Sequence, residues 1–189
     1  MIYNPTKIEP IFNYYFNFGF GHSLQKIADT ISVTKKTLFN RYQNKENMER
    51  CVVDYWQLKS CERLKCRVEF ANNAVEKLMM FLFELQYCRN NETHFFQKTK
   101  ELFLEKIERD SPYINQIEEI LKSGIEDKCF IFENEPKLFA YFFQFNAFYI
   151  LLNHNSVITD YIPFIFYSIL ADEGKALYKD IDIEQVFKL

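Results

Sequence analysis

Apolar residues recur at every third or fourth position along most of the chain, which is the spacing of an α-helix with one buried face. The pattern predicts helices over 7–18, 24–30, 35–41, 45–67, 71–88, 93–108, 112–122 with an extension past Gly124, 137–153 and 159–170. The helix over 45–67 has a length of roughly 33 Å at 1.5 Å per residue. The last eleven residues, 179–189, follow no clear pattern. We therefore predict an all-α fold.

Residues that break helices are scarce. The chain has 4 Gly and 5 Pro in 189 residues, which argues against turn-rich β architectures and flexible linkers. It has 21 Phe, 12 Tyr and one Trp, and 48% of its residues are hydrophobic, so it can form a large aromatic interior and is not a disordered polymer.

The net charge is small, but it is unevenly distributed. The chain has 23 Lys and Arg against 26 Asp and Glu, a net charge of −3. Residues 1–67 contain 11 of the basic and 6 of the acidic residues, whereas 68–189 contain 12 and 20. A basic head joined to an acidic body is typical of a nucleic-acid-binding segment on a non-binding domain. A chance distribution of surface charge gives such a division as well.

The cysteines and histidines indicate packing rather than metal binding. Five cysteines, an odd number, lie in predicted helices, which fits a reducing compartment: Cys51, Cys61, Cys66, Cys88 and Cys129. The first three do not share a helical face, and the three histidines have no ligand spacing, so we expect no metal and no cofactor. The N-terminus lacks the pattern of a signal peptide, and the longest apolar run, 138–152, is interrupted by Gln144 and Asn146. We expect a soluble cytoplasmic protein.

A helix-turn-helix pattern lies within the basic segment. Ile27 and Ala28 form the buried face of the first short helix, with Ala28 allowing a close crossing, Val33 fills the turn, and Leu38 anchors the second helix. Ser23 and Thr34 are the predicted N-caps. Taken alone, this pattern also fits a helical hairpin with a purely structural role.

Residues 19–48 resemble the DNA-binding segment of the TetR family of transcriptional regulators, and the likeness extends over about residues 7–55. The matching positions are Gly19-Phe20, Ser23, Ile27-Ala28, Ser32-Val33-Thr34, Thr37-Leu38-Phe39, Tyr42 and Lys45-Glu46. The chain departs from the family at Ser32 and Lys36, where glycine is usual, and the loop before Ser23 is about one residue shorter. The resemblance implies a helix-turn-helix domain over 1–50 and a helical effector-binding and dimerisation domain over 51–189.

The resemblance and the residue chemistry together give a predicted DNA-binding set: Ser23, Thr34, Lys35, Lys36, Thr37, Phe39, Asn40 and Lys45. Hydroxyl groups at helix starts and the Lys45 ammonium suit phosphates. Lysine pairs with guanine and asparagine with adenine in the major groove, so Lys35, Lys36 and Asn40 suit base edges. Each lysine fits a solvated surface charge as well. Phe39 lacks the hydroxyl of the tyrosine that is usual there, so we expect a van der Waals contact or a core residue.

The rest of the chain has no recognisable motif, and its predicted sites follow from aromatic stripes. Phenylalanines that suit an apolar or aromatic effector are Phe81, Phe96, Phe103, Phe130, Phe142 and Phe145. A stripe with a period near 3.5 residues predicts a dimer seam, to which the following helix can add: Phe139, Phe143, Asn146, Ile150 and Asn153. A phenylalanine stripe is also what an ordinary core contains.

The leading hypothesis is a homodimeric, ligand-responsive DNA-binding regulator. The resemblance implies a repressor, which is the usual function in this family. Such a repressor dissociates from a palindromic operator when an effector binds. A second hypothesis is a partner-binding module whose helix-turn-helix no longer reads DNA. A helical enzyme is the third, and it is disfavoured because no nucleophile, base and acid fall on one helical face.

Overall fold

The computed structural model describes residues 5–105, 111–132, 135–153 and 158–183, without the side chains of residues 5, 100, 103–105, 152, 153 and 158. Over these residues the chain forms ten α-helices, one 3-10 turn (Ile158–Asp160) and no strand. The helices are α1 (Pro5–Phe18), α2 (Leu24–Thr30), α3 (Lys35–Tyr42), α4 (Lys45–Val68), α5 (Ala74–Asn91), α6 (Thr93–Glu105), α7 (Pro112–Glu126), α8 (Pro136–Asn153), α9 (Ile162–Tyr167) and α10 (Asp172–Asp180). The predicted all-α fold is confirmed.

Most helices begin and end near their predicted bounds, and local chemistry explains why. The Ser111 hydroxyl caps α7 by accepting from the Tyr113 amide (3.3 Å). Gly19 ends α1 with φ +70°, a conformation that glycine adopts without strain. Helix α5 starts three residues later than predicted, because the side chain of Asn73 accepts from the Glu76 amide (2.9 Å) and forms an N-cap there.

The predicted helix over 159–170 is too long, since only Ile162–Tyr167 within it is α-helical. The chain instead forms the 3-10 turn and the short α9, and it then pairs with an earlier segment. Phe130 and Leu170 form an isolated antiparallel bridge, in which the Ile131 amide donates to the Ile169 carbonyl (3.0 Å). This long-range pairing competes with the helix for the same backbone groups. Helix α10 follows it and was not predicted.

The chain divides into two compact units, residues 1–59 with 91–109 (unit 1) and residues 60–90 with 110–189 (unit 2). Unit 1 contains α1 to α3, the first part of α4, and α6. Its core includes Ile11, Tyr15, Met48, Val52 and Trp56, together with the predicted buried residues Ile27, Ala28 and Leu38. Phe95 of α6 lies among the rings of Phe12, Phe20 and Trp56, at centroid distances of 5.1, 5.4 and 5.8 Å. Helix α6 is therefore built into the unit that contains the helix-turn-helix.

Unit 2 has an aromatic core around α5, α7 and α8. Phe81 packs against Tyr113 and Phe143, at centroid distances of 5.5 and 5.9 Å. A fully buried carboxylate, Glu84, accepts hydrogen bonds from the Ser60 hydroxyl (2.6 Å) and the Arg63 guanidinium (2.9 Å). The sequence pattern did not predict this charge at an apolar position. Within the described part of the chain, no helix has the length and apolarity needed to cross a membrane.

Candidate nucleic-acid interface

Helix α2 and its turn have the geometry predicted for the first half of a helix-turn-helix. The Ser23 hydroxyl caps the helix by accepting from the Lys26 amide (3.2 Å), and Ile27 and Ala28 are fully buried. The chain then reverses at Ser32, whose φ is +56°, and the Val33 amide donates to the Ala28 carbonyl (2.9 Å). The left-handed turn that the family makes with glycine is therefore made here with serine.

Helix α3 presents a polar face to solvent because a single buried residue fixes its orientation. The Thr34 hydroxyl caps the helix by accepting from the Thr37 amide (3.0 Å), and Leu38 is fully buried. Lys36 and Asn40 lie two residues either side of Leu38, which places them on the opposite face of the helix. Lys35, Lys36 and Asn40 are all exposed.

The charge on α3 is wholly positive. The helix has two lysines in its first turn, Arg41 in its last turn, and no acidic residue. Among the described residues, Lys35 and Lys36 form no ion pair, so both ammonium groups are available to an anion. This arrangement fits contact with nucleic acid, which is the chemistry predicted for these positions.

Phe39 is 57% exposed, which excludes the core role that the sequence left open for it. Its backbone carbonyl accepts from the Gln43 amide (2.7 Å), and Gln43 ends α3 with φ +67°. The structure leaves the van der Waals role, in which the ring lies on the surface beside the polar face of α3.

Asn44 is a site residue that the sequence analysis missed. Its side-chain oxygen accepts from the Asn47 amide (2.7 Å) and so caps α4 directly before Lys45. Asparagine is among the preferred N-cap residues, so its position just before a helical pattern was the signal that could have revealed it. The cap fixes where α4 begins, and with it the position of Lys45.

Lys45 shares a buried acidic partner with a lysine from α6. Its ammonium lies 3.3 Å from Oε1 of Glu49, and the ammonium of Lys98 lies 3.1 Å from Oε2 of the same carboxylate. Burial by itself lowers the pKa of Lys98, but hydrogen bonds to Glu101 and Glu49 and their negative charges outweigh it and raise that pKa above its usual value. Lys98 is therefore a firmly held cation within unit 1.

The predicted effector residues do not gather into one site. Phe81, Phe96 and Phe130 are buried in the packed interior, whereas Phe142 and Phe145 are exposed on α8. The side chain of Phe103 lies outside the described residues. Unit 2 has a cleft of about 400 Å³ between the end of α4, α5 and α7, and none of the five phenylalanines with described side chains lines it. Its lining is mixed, and includes Lys65, Lys77, Gln116 and Ile120.

The predicted dimer stripe is not in register with the exposed face of α8. Phe143 is only 3% exposed and packs on Phe81 and Phe166 within its own unit. Phe139, Asn146 and Ile150 are half-buried, and the side chain of Asn153 lies outside the described residues. Among the α8 residues whose side chains are described, the large apolar ones exposed to solvent are Leu138, Phe142, Phe145 and Tyr149, which we call the α8 face. On α9, Phe164 and Tyr167 are exposed as well.

No protein-family model matches the chain, and no curated protein matches it in sequence. Solved structures do match. The fatty acid degradation regulator FadR from Bacillus halodurans has a TM-score of 0.63 at 16% identity, covering 85% of this chain and 94% of that one. The ketosteroid transcriptional regulator KstR2 of Mycobacterium tuberculosis has a TM-score of 0.57 at 13% identity, covering 91% and 97%. A structure that concerns the control of antibiotic production by bacterial hormones has a TM-score of 0.62 at 14% identity, covering 90% of this chain and 100% of that one. The chain therefore has the fold of these proteins.

Proposed function

We propose that this chain is a DNA-binding transcriptional regulator of the TetR type. The observation that carries the proposal is α3, a capped helix with an exposed, wholly basic face, set in a helix-turn-helix. The fold shared with solved transcriptional regulators supports the same conclusion. Because such a protein acts on DNA, the proposal includes a cytoplasmic localisation.

In this proposal the residues of the helix-turn-helix divide into two roles. Lys35, Lys36 and Asn40 contact base edges in the major groove, and Lys45 contacts a phosphate. Ser23 uses the oxygen of its hydroxyl as a helix cap, which leaves the hydroxyl hydrogen to donate to a phosphate oxygen. The Thr34 hydroxyl caps α3 and also hydrogen-bonds the Thr37 hydroxyl (2.9 Å); with Thr37 as the donor, Thr34 donates to a phosphate oxygen in the same way. Thr37 and Phe39 lie against the sugar-phosphate backbone.

Selection of bound duplexes from a random library tests this proposal with the full-length chain. We expect an enriched near-palindrome, because one short helix reads few base pairs and a two-fold dimer reads them twice. Replacing both Lys35→Ala and Lys36→Ala should weaken binding to the enriched duplex by about 10-fold or more and relax its base preference. Lys122→Ala is the matched control, since that lysine lies in unit 2, paired with Glu118 at 2.6 Å. A chain that binds no duplex at low salt would instead be the partner-binding module.

We propose that the chain forms a homodimer through the α8 face and the exposed aromatic residues of α9. The members of the α8 face are separated by four, three and four residues, so they form one stripe along the helix. Phe142 is 57% exposed and Phe164 is 77% exposed, and an exposed stripe of large apolar residues such as the α8 face is typical of protein–protein contacts. A second copy covers both helices at once in a four-helix arrangement.

Sedimentation of two neighbouring variants tests the dimer. Phe142→Lys adds a charge to the α8 face and should give folded monomers. Phe143→Lys adds the same charge to the core of unit 2 and should instead unfold the chain, since a buried unpaired charge is strongly destabilising. A folded Phe142→Lys protein that remains dimeric places the interface elsewhere.

We propose that unit 2 binds a small effector and that binding releases the operator, which makes the chain a repressor. The solved neighbours named for ketosteroid regulation and fatty acid degradation support an apolar effector. A panel of apolar and aromatic carboxylates and sterols, added to the complex with the enriched duplex, tests it. An effector of this class should lower the affinity for the duplex, and an effector that raises it would contradict release of the operator.

A further inference from the structure

We propose that Lys98 of α6 is a positioning residue for DNA binding, because it occupies the carboxylate of Glu49 and so leaves Lys45 free to contact a phosphate. The inference rests on the proposed function, since it concerns how Lys45 meets DNA. Lys98 itself contacts no DNA in this proposal. It acts through Glu49.

The geometry that supports this role is a carboxylate shared between two cations. The Glu49 side chain is only 7% exposed, and its two oxygens have different partners, Lys45 on Oε1 and Lys98 on Oε2. The Tyr15 hydroxyl also donates to Oε1 (3.4 Å). A buried carboxylate must have cationic or hydrogen-bonding partners, so the loss of one cation strengthens its hold on the other.

Lys98 is the more firmly held of the two lysines. Its ammonium also contacts Glu101 at 2.8 Å and lies 5.8 Å from the centre of the Phe20 ring. Its side chain is 19% exposed, against 35% for Lys45. Lys45 is therefore the partner that can turn away from Glu49 towards a phosphate while Lys98 stays.

Helix α6 is fixed against α4 at a second point, which keeps Lys98 in register. The Trp56 indole donates to Oε2 of Glu92 (2.6 Å), and Glu92 immediately precedes α6. Glu49 and Trp56 are seven residues apart, so they lie on one face of α4. The two contacts hold α6 alongside the start of α4, where Lys45 lies.

The experiment measures the salt dependence of binding to a short fluorescent duplex of mixed sequence, by anisotropy, between about 50 and 200 mM KCl. Each phosphate contact contributes about 0.9 to the slope of log K against log salt concentration. We expect Lys98→Met to lower the slope by about 0.9 for each helix-turn-helix that is bound. Its loss of affinity is then larger at 50 mM than at 200 mM by about three-fold for one bound helix-turn-helix and by about 12-fold when both copies of the proposed dimer are bound. Lys98→Arg keeps the charge and should keep the slope.

The decisive comparison is the double variant Lys98→Met with Glu49→Gln. With no carboxylate to hold Lys45, the double variant should regain the slope of the wild-type protein. A double variant that remains as weak as Lys98→Met would show that Lys98 contacts DNA directly or serves only the fold, and would overturn the proposal. Lys45→Met should lower the slope by the same amount, and adding Lys98→Met to it should lower the slope no further.

Two controls separate the other outcomes. Lys122→Met removes a lysine that is also paired with a glutamate but lies in unit 2, and it should leave the slope unchanged. If Lys98→Met fails to fold, as judged by Trp56 fluorescence, Glu49→Gln alone decides the question: it should strengthen binding, and a folded variant that binds more weakly overturns the proposal. A wild-type chain that binds no duplex at 50 mM would refute the proposed function, whereas unaltered binding by Lys98→Met would refute this inference alone.

Discussion

Replacing Ser32 with glycine should stabilise the helix-turn-helix unit. Ser32 has φ +56°, in the left-handed region where a side chain with a Cβ costs about 1 to 2 kcal/mol. The side chain is exposed and forms no hydrogen bond with a described residue, so its removal sacrifices no contact. Glycine also adds entropy to the unfolded chain, which costs about 0.4 to 1 kcal/mol. At the centres of these ranges, about 1.5 and 0.7 kcal/mol, the difference is about 0.8 kcal/mol, so we expect a gain of about 0.5 to 1 kcal/mol in the free energy of unfolding.

The single tryptophan of the chain lies in the same unit as Ser32, so its fluorescence can be used to measure this gain in stability. Trp56 is fully buried in unit 1 and stacks on Phe95, so its fluorescence reports the unfolding of the unit that contains Ser32. For a urea m-value of about 2 kcal/mol/M, the expected gain raises the midpoint by about 0.25 to 0.5 M.

Ser32→Ala is the matched control, because it removes the hydroxyl but keeps the Cβ that causes the strain. Its midpoint should stay close to that of the wild-type protein. A lower midpoint for Ser32→Gly at an unchanged m-value would refute the reasoning, since it would show that left-handed strain at this turn is smaller than the entropy that glycine adds.

Three further predictions follow from the caps and buried groups. Thr34→Ala removes the cap on the Thr37 amide and should lower the stability of unit 1 by about 1 kcal/mol in the same fluorescence assay. Arg63→Met takes a charged hydrogen-bond donor from the fully buried Glu84 and should lower the stability of unit 2 by about 1.5 to 3 kcal/mol in circular dichroism melts; an unchanged midpoint would contradict it. Burial raises the pKa of the Cys61 thiol to about 12, so iodoacetamide at pH 8 should modify the exposed Cys66 rapidly and leave Cys61 unmodified, and Cys66→Ser should abolish the rapid phase.

The helix-turn-helix could be predicted from the sequence because its determinants are local. Ser23 and Thr34 cap helices with amides three residues away, and Leu38 is the only buried residue of α3. Each of these features depends on near neighbours in the chain, so spacing and residue type suffice to place them. The exposure of Lys35 and Lys36 then follows, because the burial of Leu38 fixes which face of α3 meets solvent.

The burial of Glu49 and Glu84 could not be predicted, because Lys98 and Arg63, which pair with them, lie far away in the sequence. Lys98 is 49 residues from Glu49, and Arg63 is 21 residues from Glu84. Both glutamates occur in helical patterns where a polar residue normally indicates the solvated face. Only the packing of another helix against that face reverses the expectation, and no local rule specifies which helix it is.

Helix α8 shows a different limit, and it bears on the dimer. Phe142, Phe143 and Phe145 make the helix apolar around much of its circumference, so periodicity cannot determine which phenylalanines face the core. In the structure of a single chain, Phe143 faces the core, and Phe142 and Phe145 face solvent. A helix that is apolar all round is normally buried all round, and one chain covers only part of α8. The side that remains exposed is therefore the observation that most strongly supports the proposed homodimer.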